Sequence, residues 1–184
     1  MHKYLPKIYY FVDKLDIHEI KNLNKKIAII YRNYSIKPGQ KELIKFKNFC
    51  LRNNHKFLIS NYPDLVFKYK LDGFYIPSFN RTNILKKYQK LDKFIIAGSA
   101  HNHQEIKIKE QQGVDLIFLS PIFKIQKNKK FLDIVKFNFL KQVTNKKIIA
   151  LGGIKESNIN KIKMTNSYGF ASISYIKKNK LIKK

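Results

Sequence analysis

Eight short runs of apolar, β-branched or aromatic residues recur along the chain, at Ile8 to Val12, Ile27 to Tyr31, Phe57 to Ser60, Gly73 to Ile76, Phe94 to Ala97, Leu116 to Leu119, Ile148 to Leu151 and Phe170 to Ile173. Between most of them lie 10 to 20 residues with apolar positions at helical spacing, as in Glu42-Leu-Ile-Lys-Phe-Lys-Asn-Phe49 and in Glu105-Ile-Lys-Ile-Lys-Glu-Gln-Gln112, which ends at Gly113. Strand and helix therefore alternate throughout. Strands joined through helices run parallel, and a parallel sheet is covered on both faces, so its strands read as continuous apolar runs. The closure that suits eight such units is a small TIM-type (β/α)₈ barrel, in one domain over residues 1–184. Helix starts are marked by Ser99 or Asn102 ahead of Gln104-Glu105, and by Ser157 or Asn158 ahead of the run through Ile159 and Ile162. After Ile176 only Lys177 to Lys184 remain, so the eighth helix is expected to be short or frayed.

At 184 residues and 44% hydrophobic content the chain can bury a sizeable core. No stretch approaches the roughly 18 apolar residues needed to span a bilayer. Met1 to Lys7 carry no signal-peptide pattern, so a cytoplasmic location is expected. The single cysteine, Cys50, lies in an apolar-periodic helical stretch and is expected to be a buried, inert thiol. The net charge of +26 would attract any polyanion, yet of 38 basic residues only Arg32, Arg52 and Arg81 are arginine, and the lysines are spread along every helix. That distribution is expected of a solvated lysine surface, with no specific nucleic-acid partner, no membrane partner and only weak adhesion at low salt. A lysine-driven nucleic-acid binder remains the reading from another functional class.

Two of the apolar runs end in small residues. Lys147-Ile-Ile-Ala-Leu-Gly-Gly-Ile154 and Gly169-Phe-Ala-Ser-Ile-Ser174 describe the last two strands of the barrel, where the following loops commonly bind phosphate. Main-chain N–H groups around Gly152, Gly153, Ile173 and Ser174 are thus the expected phosphate cup, since adjacent glycines leave amides open to a close anion.

Taken in order, the strand ends resemble the thiamine phosphate synthase and TenI-like family over nearly the whole chain. Ala97-Gly-Ser-Ala-His-Asn102 resembles its strand-five Gly-x-Ser-x-His signature, and Gly113-Val-Asp-Leu-Ile-Phe-Leu-Ser-Pro-Ile-Phe123 its Gly-Ala-Asp-Tyr stretch running into Gly-Pro-x-Phe. Leu71-Asp-Gly-Phe-Tyr-Ile76 is similar to Ala-Asp-Gly-Val-His-Leu at strand four, and the two glycine-ended segments match the family's phosphate-binding close. Tyr-Arg-Asn-Tyr at residues 31–34 and Leu-Ser-Pro-Ile-Phe at 119–123 resemble a divergent, mostly alphaproteobacterial branch. The resemblance implies a transferase that joins a hydroxymethylpyrimidine diphosphate to a thiazole phosphate, giving thiamine phosphate and pyrophosphate. The task in such a reaction is stabilising negative charge on a departing diphosphate, usually with Mg²⁺ across its oxygens.

This chain departs from the family pattern at that chemistry. The strand-two Gln-x-Arg-x-Lys becomes Ile30-Tyr-Arg-Asn-Tyr34, the strand-three Asn-Asp becomes Asn61-Tyr62, and the strand-four Gly-Gln-x-Asp becomes Pro77-Ser-Phe-Asn80. Both magnesium-binding aspartates are replaced, and the threonines expected after Phe123 give way to Lys124-Ile-Gln-Lys-Asn-Lys-Lys130. Arg32 is therefore expected to clamp phosphate, with Asn61, Ser99 and Lys127 as further catalytic candidates and Lys124 and Lys129 neutralising diphosphate. Mg²⁺ stays implied by resemblance alone, and no metal ligands are assigned. Each residue also has a plain structural reading: Arg32 in an ion pair with Asp13, Asn61 and Ser99 as turn or cap residues, His101 as a structural histidine, and Gly152-Gly153 as a tight turn. A TenI-like protein that binds or isomerises a thiazole or thiamine phosphate is the second functional reading, and a homo-oligomer is compatible with either.

Overall fold

The computed structural model describes residues 4–83, 85, 93–126 and 130–179. Strands β1 (Ile8–Val12), β2 (Ile27–Tyr31), β3 (Phe57–Ser60), β4 (Gly73–Ile76), β5 (Ile95–Ala100), β6 (Leu116–Leu119), β7 (Lys147–Leu151) and β8 (Gly169–Ala171) form a closed barrel in chain order. Every neighbouring pair is parallel, and β8 closes on β1 with Ile8 beside Phe170 and Tyr9 beside Ala171. Helices α1 (Ile17–Ile20), α2 (Gln40–Arg52), α3 (Pro63–Tyr69), α4 (His103–Gln111), α5 (Asp133–Gln142) and α6 (Ser174–Asn179) and the 3₁₀ turn Ile159–Met164 supply crossovers. The expected (β/α)₈ barrel is the observed fold. Among the described residues no helix is long and apolar enough to cross a membrane.

Continuous apolar runs are needed because each strand faces two cores. Alternate residues Tyr9, Phe11, Ala28, Ile30, Leu58, Tyr75, Ala97, Leu116, Phe118, Ile149 and Ala171 fill the barrel interior. Their neighbours, among them Tyr10, Ile29, Ile59, Phe74, Ile117 and Ile148, pack against the helices with Leu43, Phe46 and Cys50 of α2. Inside, rings offset alanines: Tyr9 meets Phe118 edge-on at 4.9 Å, and Phe11 meets Tyr75 at 5.3 Å and Phe118 at 5.6 Å. Such edge-to-face contacts add about 0.5–1.5 kcal/mol each beyond the area they bury. Cys50 is buried, and burial pushes its thiol up to about 12, in keeping with an inert role.

Three boundaries differ from the sequence reading, each for a local reason. β5 continues through Gly98-Ser99 to Ala100, so Ser99 is a strand residue and Asn102 is the cap of α4, its side chain accepting from Glu105 N–H at 2.9 Å. The run after Asn158 forms a 3₁₀ turn, because the Asn158 side chain is engaged upstream, accepting from Lys155 N–H at 2.8 Å and donating to the Gly153 carbonyl at 2.9 Å. β8 stops at Ala171, and the Ser172 hydroxyl accepts from Tyr175 N–H at 3.1 Å to start α6, described over Ser174–Asn179. Asp72 and Asp115, parts of the recognisable motifs, do structural work at the far end of the barrel. Asp72 accepts from Phe57 N–H at 3.0 Å and Lys56 at 2.7 Å, and Asp115 accepts from Ile96 N–H at 2.8 Å.

Candidate active site

The C-terminal ends of the strands surround a cavity of about 520 Å³. It is lined by Arg32 after β2, His101 after β5, Ser120 to Gln126 after β6, Leu151 to Lys155 after β7, and Ser172 to Ser174 after β8, with Ile122 and Phe123 lying behind that wall. Among the described residues Arg32, Lys124 and Lys155 are its charged side chains, and none of its lining is a carboxylate. Three cations on one concave wall favour a multiply charged anion.

Arg32 is half-buried at the end of β2, where its own N–H continues the ladder to the Val12 carbonyl at 2.8 Å. Its guanidinium stacks over the Phe11 ring at 4.5 Å, so the topmost ring of the barrel interior is the platform that aims it. Among the described residues no carboxylate lies within ion-pair distance, and Asp13 shares only a small side cavity with it. Tyr75 and Tyr34 also lie within reach of the guanidinium. Burial raises the pKa of Tyr75, against which Ser99 and Arg32 pull it down; burial pushes Tyr34 up to about 12, opposed by Arg32 and Ser60. Both phenols stay protonated at neutral pH and present neutral hydroxyls to the guanidinium.

The turn after β7 needs glycine twice. Gly152 and Gly153 have φ of +93° and +72°, a region costly for any residue with a Cβ. A Cβ on Gly153 would lie 2.4 Å from the Phe123 carbonyl oxygen, and one on Gly152 2.8 Å from Pro121 Cα. The β6 and β7 loops are in direct contact there, joined by Ile122 N–H to the Leu151 carbonyl at 2.9 Å and Phe123 N–H to the Gly152 carbonyl at 3.1 Å. Glycine therefore serves the packing of the two loops as well as any ligand. Across the cup, the buried Ser172 hydroxyl donates to the Ile154 carbonyl at 3.0 Å, tying the β8 end to the β7 turn. Among the described residues the N–H groups of Gly153, Ile173 and Ser174 donate to no acceptor.

The cavity gathers Arg32, Lys124, Gly152, Gly153, Ile173 and Ser174. Asn61 and Ser99 do not line it: Asn61 ends β3 with φ of +66°, a left-handed position that asparagine tolerates, and Ser99 is buried below the mouth beside Tyr75. Lys127 and Lys129 lie outside the described residues. Sequence reasoning gave Lys155, Ser172 and Asn158 no role in the site. Lys155 and Asn158 carried a readable signal, since they follow the glycine pair within six residues.

Residues 21–176 match the family described as thiamine monophosphate synthase. The chain belongs to the thiamine monophosphate synthase family. A thiamine-phosphate synthase of Pelagibacter ubique is 30% identical over 169 residues, covering 87% of this chain and 80% of that protein. One from Prochlorococcus marinus strain AS9601 is 32% identical over 139 residues, covering 73% of this chain, and the chain spans only 38% of that relative's length. Among solved structures, thiamine phosphate pyrophosphorylase from Pyrococcus furiosus has a TM-score of 0.74 at 16% identity, covering 93% of this chain and 87% of that one, a likeness of fold.

In this member of the family the donor set at the mouth does not fit a carboxylate-held magnesium ion. Asn61 and Tyr62 follow β3, Pro77 to Asn80 follow β4, and the described residues contain no cluster of three or more His, Cys, Asp or Glu side chains. Asn80 Oδ1 is already engaged by the N–H and hydroxyl of Thr82 at 3.2 and 3.0 Å. Hard divalent cations need several oxygen ligands of suitable charge, and Asn61, Tyr62, Ser78 and Asn80 supply neutral amides and hydroxyls.

Proposed function

We propose that this protein joins a hydroxymethylpyrimidine diphosphate to a thiazole phosphate, releasing pyrophosphate and forming thiamine phosphate. The observation that carries the reading is the meeting of Arg32, Lys124, Lys155 and the open amides of Gly153, Ile173 and Ser174 on one carboxylate-free cavity. In the reaction the bond between the pyrimidine methylene carbon and the diphosphate oxygen breaks, its electron pair leaving with pyrophosphate. The thiazole nitrogen lone pair then forms the new carbon–nitrogen bond. The amides of the β7 and β8 ends hold the thiazole phosphate, and Arg32, aimed by Phe11, takes the developing charge on the leaving group with Lys124. Lys127 and Lys129, outside the described residues, are proposed to neutralise the same diphosphate. No step is assigned to a metal. Activity in the cytoplasm, where both substrates are soluble, is part of the same proposal.

The test is turnover of the two phosphorylated precursors by the purified protein, read as thiamine phosphate and pyrophosphate, with and without EDTA. Product formation unaffected by chelation is expected. Loss of turnover with EDTA and its return with Mg²⁺ would refute the metal-free version. Tight binding of thiamine phosphate without turnover would instead favour a noncatalytic, TenI-like binder, the reading that the neutral groups after β3 and β4 support. Affinity for RNA that collapses with salt would be charge alone.

A further inference from the structure

We propose that Lys109 is a positioning residue for this site: its ammonium ties the loop after β4 to α4, and through Ser78 in that loop it sets the ring of His101 in the cavity wall. This rests on the reading of the cavity as the reaction site. Lys109 is fully buried, 0% exposed, which is unusual for an ammonium and costly unless every donor is satisfied. Its three donors are satisfied by the Pro77 carbonyl at 2.8 Å, the Asn80 carbonyl at 2.7 Å and Gln112 Oε1 at 2.9 Å. The partner Gln112 adds bonds to the Asn80 carbonyl at 3.0 Å and the Thr82 carbonyl at 2.7 Å. The lysine stem reaches the loop by crossing Gly98 of β5, where a Cβ would lie 2.8 Å from Lys109 Cδ. An apolar side chain could fill this space without desolvating a charge, so the role of the ammonium lies in what it holds.

It holds a loop that touches the site at two points. Ser78 Oγ meets His101 Nε2 at 3.1 Å, and the exposed Phe79 ring meets Tyr34 edge-on at 5.2 Å beside Arg32. On the other side of the imidazole, Nδ1 lies 2.7 Å from the Ser120 carbonyl, which can only accept, so Nδ1 carries a proton and, in that tautomer, Nε2 accepts from the Ser78 hydroxyl. His101 N–H donates to Glu105 Oε2 at 2.8 Å, closing the same end of α4. Ring orientation in the cavity wall thus depends on Ser78, and Ser78 on the carbonyls that Lys109 anchors on either side of it. Among the described residues Glu105 is the ionisable group acting on Lys109; the other groups around its ammonium are neutral.

The test is ¹⁵N NMR of the histidine rings in the full chain without substrate, together with steady-state kinetics. Lys109→Met and Ser78→Ala should each move the His101 Nε2 resonance in the same sense, and the double variant should move it no further than Ser78→Ala does. In turnover, each single variant should lower kcat/KM about five- to tenfold, the scale of one hydrogen bond, again without addition in the double variant. An unmoved Nε2 signal in Lys109→Met, or losses that multiply, would overturn the proposal. If Lys109→Met does not fold, the unmodified protein titrated from pH 7 to 10 replaces it: the Nε2 signal should move as the ammonium, pushed down to about 8 by burial, loses a donor. A flat response would overturn the proposal equally. The ring signals need no turnover, so a protein that makes no thiamine phosphate would remove the reaction reading and leave the Lys109 link still decided.

Discussion

Replacing Gly153 by alanine separates the two reasons a glycine stands there. The residue has φ of +72°, and an added Cβ would sit 2.4 Å from the Phe123 carbonyl oxygen, 2.7 Å from its carbon and 2.8 Å from the Lys124 carbonyl oxygen. The conformational part costs about 1–2 kcal/mol, and forcing backbone apart in a packed loop pair about 1–3 kcal/mol more. Gly113 supplies the control: its φ is +74°, yet nothing lies within 4 Å of the position a Cβ would take. Gly113→Ala should therefore show the conformational part alone. The assay is thermal unfolding of both variants, where about 1 kcal/mol moves Tm by about 2–4 °C at this chain length. We expect Gly153→Ala to melt roughly 5–15 °C below the parent and several degrees below Gly113→Ala, and to lose inorganic phosphate binding that Gly113→Ala retains. Equal melting of the two variants would refute the claim that the Phe123 contact dictates glycine at this position. Unchanged phosphate binding in a folded Gly153→Ala would refute the placement of the anion.

Arg32→Met should leave Tm within a few degrees, since no ion pair is lost, and weaken pyrophosphate binding roughly 10- to 100-fold, the scale of a charge-assisted hydrogen bond, by calorimetry; an unchanged affinity sinks the clamp. Burial lowers Lys109 to about 8 in the folded chain, against an ordinary lysine value of 10.5, so the unfolded chain holds more protons between those limits and stability from this group rises with pH across that window. Urea midpoints from about pH 7.5 to 10 should therefore climb in the parent relative to Lys109→Met, and parallel curves for the two would contradict the burial of a charged amine. Ser172→Ala removes the hydroxyl that joins the Ile154 carbonyl to Tyr175 N–H, and should cost about 1–2 kcal/mol and weaken phosphate binding, measured by unfolding and calorimetry.

How much was legible beforehand follows from where each signal resides. The recurrence of apolar runs and helical spacing determined the barrel, because burial on both faces of a parallel strand is written in its own residues. That the two glycine-ended segments end side by side at one mouth was legible too, since they were read as the last two strands of the barrel. Ser99 and Asn102 could not be ranked as caps in advance, because the choice depends on how far β5 keeps pairing with β6, a strand well removed along the chain. Lys109 looked like one more solvated lysine among many. Only the tertiary arrangement turned its stem over Gly98 and brought the Pro77 and Asn80 carbonyls within reach of its ammonium, and only that arrangement placed Phe11 beneath Arg32 and Phe123 against Gly153. Those contacts join residues far apart in the chain, so their energies belong to the closed barrel and not to any local stretch of sequence.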